Sequence, residues 1–145
     1  MSTFKKMMVV MIVFLASCQK IDRSTTIIEE HYNVNTFSKD YQVLKKHWEV
    51  GRDDESGVYF FYEFREPYLT QTIYNRGIMQ AFLILKDGNV SPLPFDDFWM
   101  DGNYRWTEQV TVEFRPGWIT FILKYSDHTL DEPYYDYDFR VRFLW

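Results

Sequence analysis

The chain has 145 residues, 46% apolar, 20% aromatic and 26% charged, with a formal net charge of −5. That length suits one domain with a single core, and the acidic balance argues against nucleic acid, whose binding neutralises phosphates with clustered Lys and Arg. Cys18 is the only cysteine, which leaves no intrachain disulfide and no cysteine-based metal cluster, so the aromatic side chains, each burying roughly 150–250 Å², are expected to supply much of the core.

Lys5-Lys6 precede the uncharged run Met7 to Ala16, and Leu15-Ala16-Ser17-Cys18 closes it. A positive start, an apolar stretch within the ~7–15 residue range and small residues before a cut point make a secretion signal, whereas a transmembrane helix needs about 20 apolar residues. Leu-Ala-Ser-Cys resembles the lipobox of bacterial lipoproteins, which implies cleavage after Ser17 and lipidation of Cys18. The expected organisation is a signal peptide over 1–17, a lipidated tether over 18–24 and a single β domain over 25–145. Loss of the signal removes two lysines and no acid, leaving 14 basic against 21 acidic residues and a net −7. A polybasic hold on anionic lipid is then disfavoured, and membrane attachment falls to acyl chains on Cys18.

From Thr25 the pattern has period two. Ile27 to Val34 and Gln42 to Glu49 are the first candidate strands, and Val58 to Phe64 the next, apolar on both faces and so expected to lie centrally. Leu69 to Arg76 reads as one or two helical turns near 70–76, with Thr70 as N-cap, Leu69 and Tyr74 as a hydrophobic staple and Gly77 as a left-handed stop. Ile78 to Leu85 is a second central strand, joined by a type I′ turn at Asp87-Gly88 to a short edge segment at Val90 that Pro92 and Pro94 confine. Val110, Val112 and Phe114 alternate with Thr111, Glu113 and Arg115, and Ile119, Phe121, Leu123 and Tyr125 with Thr120 and Lys124.

Pairing Arg115 with Trp118 across Pro116-Gly117 sets Phe114 against Ile119, Val112 against Phe121 and Val110 against Leu123. One conflict stands: Pro-Gly favours a type II turn, while two-residue hairpins prefer I′ or II′. The last stretch alternates most clearly, with Tyr135, Tyr137, Phe139, Val141, Phe143 and Trp145 on one face and Asp136, Asp138, Arg140 and Arg142 on the other. About seven short antiparallel strands and almost no helix predict an all-β fold, a β-sandwich, with a barrel satisfying the same pattern.

Pro67-Tyr68-Leu69-Thr70, Ile73-Tyr74-Asn75-Arg76-Gly77-Ile78, Pro92-Leu93-Pro94-Phe95, Gly117-Trp118-Ile119-Thr120-Phe121 and Tyr137-Asp138-Phe139-Arg140-Val141 together resemble the pattern of small uncharacterised lipoproteins and secreted β proteins of Bacteroidota. The resemblance spans roughly residues 40–145, implies a β domain in the cell envelope and transfers no functional residue. Gln19-Lys20-Ile21-Asp22 resembles the surface-export signals of such bacteria, which implies an outer-membrane lipoprotein that faces either the periplasm or the exterior.

Candidate chemistry is sparse. Asp97-x-Trp99-x-Asp101-Gly102-x5-Glu108 matches four positions of a calcium loop, but Trp99 cannot ligate and no helix pair flanks it, so a polar turn at Asp101-Gly102-Asn103 is the simpler account. The acidic cluster Asp127, Asp131, Glu132, Asp136 and Asp138 beside His128 reads as a solvated loop. No metal or other cofactor is expected. Ser126-Asp127-His128 holds triad residue types, yet consecutive residues cannot converge as a triad requires. His31 and His47 fall in expected strands as structural residues, and Glu63 and Glu113 are isolated carboxylates. The reading is therefore non-enzymatic, with no catalytic residue assigned.

Trp99, Tyr104, Trp106, Tyr134 and Tyr135, in or beside polar loops, form the candidate ligand platform. Aromatic faces stack on the C–H groups of sugars while Asp101, Asn103 and Arg105 would take hydroxyls; the alternative is that these rings cap the end of the sandwich, and Trp106, in phase with Val110 and Val112, is the more core-like. The expected function is a binding or structural module of the envelope, with a glycan or an envelope protein as partner; the alternative is a glycan-binding accessory protein of a polysaccharide-uptake system.

Overall fold

A computed structural model of the protein describes residues 34–54, 57–127 and 132–145. The expected signal, Cys18, the expected tether, residues 27–33 of the expected first strand, His31, His128 and Asp131 lie outside the described residues. Among the described residues there are nine strands: β1 Thr36–Val43, β2 Glu49–Asp53, β3 Gly57–Arg65, β4 Ile78–Ile84, β5 Val90–Pro92, β6 Phe95–Asp101, β7 Tyr104–Arg115, β8 Trp118–Tyr125 and β9 Tyr137–Leu144, with a 3₁₀ turn at Lys45–His47 and one helix, α1, at Gln71–Arg76. They make two antiparallel sheets, ordered β1-β9-β4-β5 and β2-β3-β8-β7-β6. Neither sheet closes on itself, so the fold is a sandwich and not a barrel.

Alternation decides which side of each sheet is core. Tyr137, Phe139, Val141 and Phe143 of β9 face Ile119, Phe121, Leu123 and Tyr125 of β8, all 5% exposed or less. Phe121 and Phe139 stack across the two sheets with ring centroids 3.7 Å apart. Trp145 breaks the expected run: it is 39% exposed, and its backbone exchanges both hydrogen bonds with Asn35 at the end of the β1–β9 ladder. The strands expected to be central, β3 and β4, each have a neighbour on both sides.

The β7–β8 hairpin has the expected register, from Arg115↔Trp118 through Val110↔Leu123. Its turn conflict is resolved from outside the hairpin. Gly117 takes φ +78°, its N–H donates to Leu69 O at 2.7 Å and its carbonyl accepts from Glu66 N–H at 2.8 Å, so the segment before α1 holds the corner. Glu66 is itself buried, with Tyr41 Oη donating to Oε2, Tyr68 N–H to Oε1 and Lys39 Nζ 3.4 Å from Oε2.

Four local expectations need correction. The strand placed at Gln42–Glu49 is two strands broken by the 3₁₀ turn, because Leu44 O accepts from His47 N–H and Asp136 Oδ1 accepts from Lys45 N–H, drawing the backbone out of the ladder; His47 thus lies in that turn. Asp87-Gly88 is not a type I′ pair: Gly88 N–H donates to Leu85 O, so Lys86 and Asp87 take the corners and Gly88 follows at φ +85°. Thr70 does cap α1, accepting from Ile73 N–H, but Ile73 is the buried residue of the helix and Tyr74 is exposed, so the expected staple does not form. Gly77 is extended at φ −86°, not left-handed; it is small because a Cβ there would meet Ile73 O at 2.7 Å and Leu144 O at 2.9 Å.

Candidate functional site

The site is built on β6 and β7, the edge hairpin of the larger sheet. Gly102, at φ +59°, sits at the first corner of a two-residue turn, as both preferred hairpin turns require. The sequence assigns no strand over 95–101, only a polar turn at Asp101-Gly102-Asn103; pairing with Tyr104–Val110 of β7 makes β6 despite the low strand propensity of Asp96, Asp97 and Asp101. Trp99 and Trp106 consequently lie within strands and not in loops, and both are half-buried.

Register then stacks the inner face in pairs: Phe95↔Val110, Asp97↔Glu108, Trp99↔Trp106 and Asp101↔Tyr104. Over these four rungs the inward side changes from apolar core to paired carboxylates to paired tryptophans. The segment before β9 brings the remaining rings, with Pro133 fully buried and Tyr134 N–H donating to Tyr125 Oη at 3.3 Å. All five platform residues fall in one contiguous cluster. Trp99 and Trp106 stack at 6.4 Å and 12°, Trp106 meets Tyr104 at 5.6 Å and Tyr134 at 5.3 Å, and Tyr135 lies 5.9 Å from Trp99 and 6.0 Å from Tyr134.

Beside this cluster, between β6–β7 and the β4–β5 turn with the start of β9, is a cavity of about 460 Å³. Trp99 and Tyr135 line it, together with Asp97, Glu108, Tyr137 and Lys86. Trp106 and Tyr134 instead pack against the core, and Tyr104 is largely exposed, its hydroxyl donating to Asp127 Oδ2 at 2.7 Å. The platform is thus divided: two rings form a cavity wall and three support it.

Glu108 is the candidate site residue that the sequence did not single out. It was visible only as the twelfth position of a calcium-like loop, yet it stands in phase with Trp106, Val110 and Val112 on the apolar face of β7, and that phase is the signal of a buried carboxyl. It is 4% exposed, and its Oε2 has no hydrogen-bond partner. Burial raises its pKa to about 7; a hydrogen bond with Tyr137 opposes this, the charge of Asp97 adds to it and Lys86 offsets part. Trp99 Nε1 is likewise buried without a partner. Two residues that line the cavity therefore each carry a buried polar atom, one donor and one acceptor, without a partner, which native proteins leave only for a reason.

No family model, curated protein or solved structure matches this chain. Function must be argued from the site.

The other candidates resolve into structural roles. Ser126 Oγ accepts from Thr107 N–H at 2.8 Å, Asp127 holds Tyr104, and His47 is exposed and stacks on Tyr62. Glu63 and Glu113 both line a groove of about 340 Å³ on the outer face of the larger sheet, but Glu63 is committed to Arg115 at 2.5 Å and Thr120 Oγ1 at 3.1 Å. The Arg115 hydrogen bond holds its carboxyl below the usual range. Asp97, Asp101 and Glu108 belong to a hairpin and not to a calcium loop, and among the described residues no group of three His, Cys, Asp or Glu is placed to hold a metal. Nor is any described helix long and apolar enough to cross a membrane.

Proposed function

We propose that the protein is a non-enzymatic lipoprotein of the cell envelope, held at the outer membrane by lipid on Cys18, whose sandwich binds a saccharide in the cavity walled by Trp99 and Tyr135. The observation that carries the reading is this wall of two rings beside two unfulfilled polar groups. A pyranose offers an apolar C–H face to the rings and hydroxyls that both accept, as Trp99 Nε1 needs, and donate, as Glu108 Oε2 needs. The volume lies within the range of small-molecule sites, about 300–1,000 Å³. Titration of tryptophan fluorescence against a glycan panel tests the reading: a saturable response lost in Trp99→Ala supports it, and a silent wild-type protein overturns it. Anchoring is tested separately by membrane fractionation, where Cys18→Ala is expected to move the protein to the soluble fraction.

Hydrolysis is a second reading, favoured by the juxtaposition of Asp97 with Glu108, whose carboxyl titrates near 7. Glycosidase carboxyls flank the scissile bond. Asp97 and Glu108 are cross-strand neighbours on one face, with Cβ atoms about 4.5–5.5 Å apart, a spacing that would also suit a retaining pair, and binding is preferred on the wall of rings alone. Release of nitrophenol from aryl glycosides by wild type, abolished in Glu108→Gln, would reverse this preference.

A further inference from the structure

The saccharide reading leaves the charge of the cavity unexplained. Five carboxylates line it, Asp87, Asp97, Glu108, Asp136 and Asp138, against the single ammonium of Lys86. Three of the five accept a backbone hydrogen bond: Asp87 from Asn89 N–H at 2.9 Å, Asp97 from Phe98 N–H at 2.8 Å and Asp136 from Lys45 N–H at 2.7 Å. Asp97 and Glu108 also face each other directly across the ladder on the inner side, an arrangement that destabilises a sheet when both are ionised. Glu108 is moreover 4% exposed with Oε2 unpartnered. Such a pair is relieved either by a proton, as the raised pKa of Glu108 provides below about 7, or by a cation held beside it.

The walls are suited to the same guest. Lys86 Nζ already lies 3.8 Å over the ring of Tyr135, so one wall of the cavity receives an ammonium within the protein itself. Trp99, the better cation-binding ring by its larger quadrupole, stands 5.9 Å from Tyr135. Lys86 is exposed, at the β4–β5 turn, so its leaving the ring would unpack none of the core.

We propose that the ligand of this cavity carries a protonated amine, seated against Trp99 and Tyr135 and neutralising the Asp97–Glu108 pair. The inference rests on the saccharide reading of the same site and narrows it to amino sugars. Lys86 then acts as a built-in competitor that occupies the ring face when the site is empty.

The test is calorimetric titration of the full chain with two tetrasaccharides of one backbone, glucosamine and N-acetylglucosamine, and with cadaverine as an amine without a sugar. The expected result is a preference of about tenfold for the glucosamine oligomer, a factor within reach of one desolvated cation–π contact. Glu108→Gln, which keeps the shape and removes the charge, should abolish that preference. Lys86→Ala should strengthen glucosamine binding several-fold by removing the competitor, and Glu113→Gln, an equal charge change outside the cavity, should leave affinity unchanged. Equal binding of both oligomers overturns the amine inference and leaves the saccharide reading standing. Cadaverine binding as tightly as the glucosamine oligomer supports the amine inference and overturns the saccharide reading. A glucosamine preference unaffected by Glu108→Gln, or lost equally in Glu113→Gln, assigns it to general surface charge and overturns the proposal, as does no binding at all.

Discussion

Glu108 stands between Trp106 and Val110 on the inner face of β7, where an aliphatic residue would bury more favourably. Its carboxyl is raised from the ordinary 4.5 to about 7, first by burial, with Asp97 acting in the same direction and Tyr137 and Lys86 against it. Between those two values the folded protein holds a proton that the unfolded chain has released. Stability from this group is therefore fully present below about pH 4.5 and lost as pH rises through 7, a change of about 3 kcal/mol. Thermal melts at pH 5 and pH 8 should show wild type losing stability toward the higher pH, with Glu108→Gln nearly flat over the same window; an unchanged slope in the variant would place the titration elsewhere. The two tryptophans should separate in the same experiment. Trp106 packs on the core, so Trp106→Ala is expected to cost about 3 kcal/mol, whereas Trp99, an edge-strand residue beside the cavity, should cost about 1 kcal/mol on truncation.

At the scale of elements, turns and helix ends are held by contacts from elsewhere in the chain. The Pro116-Gly117 corner, which would splay an isolated hairpin, is fastened by Glu66 N–H and Leu69 O. Gly77 ends α1 where two carbonyls approach, Ile73 O and Leu144 O, leaving no room for a methyl group. Its φ of −86° is open to any residue, so Gly77→Ala should destabilise by overpacking alone, by roughly 1–3 kcal/mol in a denaturant titration. At the other end of the helix, Thr70→Ala removes the acceptor for Ile73 N–H and should cost about 1 kcal/mol. A Gly77→Ala protein as stable as wild type would show that the two backbones can separate there.

For the whole molecule, β9 is an interior strand of its sheet, paired with β1 on one side and β4 on the other. Deleting residues 139–145 removes Phe139, Val141 and Phe143, three fully buried side chains, and leaves β1 without a partner and β4 with only the short strand β5. Each such side chain contributes roughly 1.5–3 kcal/mol against a total stability of about 5–15 kcal/mol. The truncated chain is expected to show no cooperative melt by circular dichroism. Ion pairs contribute less: Arg140 donates to both oxygens of Asp40, but the pair faces solvent, which screens it.

What was legible from residues alone follows from periodicity. Strict alternation in Val110–Phe114, Ile119–Tyr125 and Tyr137–Phe143 assigns inward and outward faces without reference to any partner, and a two-residue spacing sets the β7–β8 register, because a slip by one would turn every side chain to the wrong face. The candidate rings were legible too, as residue types beside turn signals. The tertiary structure alone decided the rest. Strand β6 exists because β7 supplies a ladder that outweighs its poor local propensity, and its pairing turns Trp99 inward. Glu108 was hidden because its meaning lies in what surrounds it: Asp97 across the ladder, Tyr137 from the facing sheet and Lys86 from a distant turn. A carboxyl acquires a shifted pKa, and a ring becomes a wall, only when burial brings groups distant in the chain to one place.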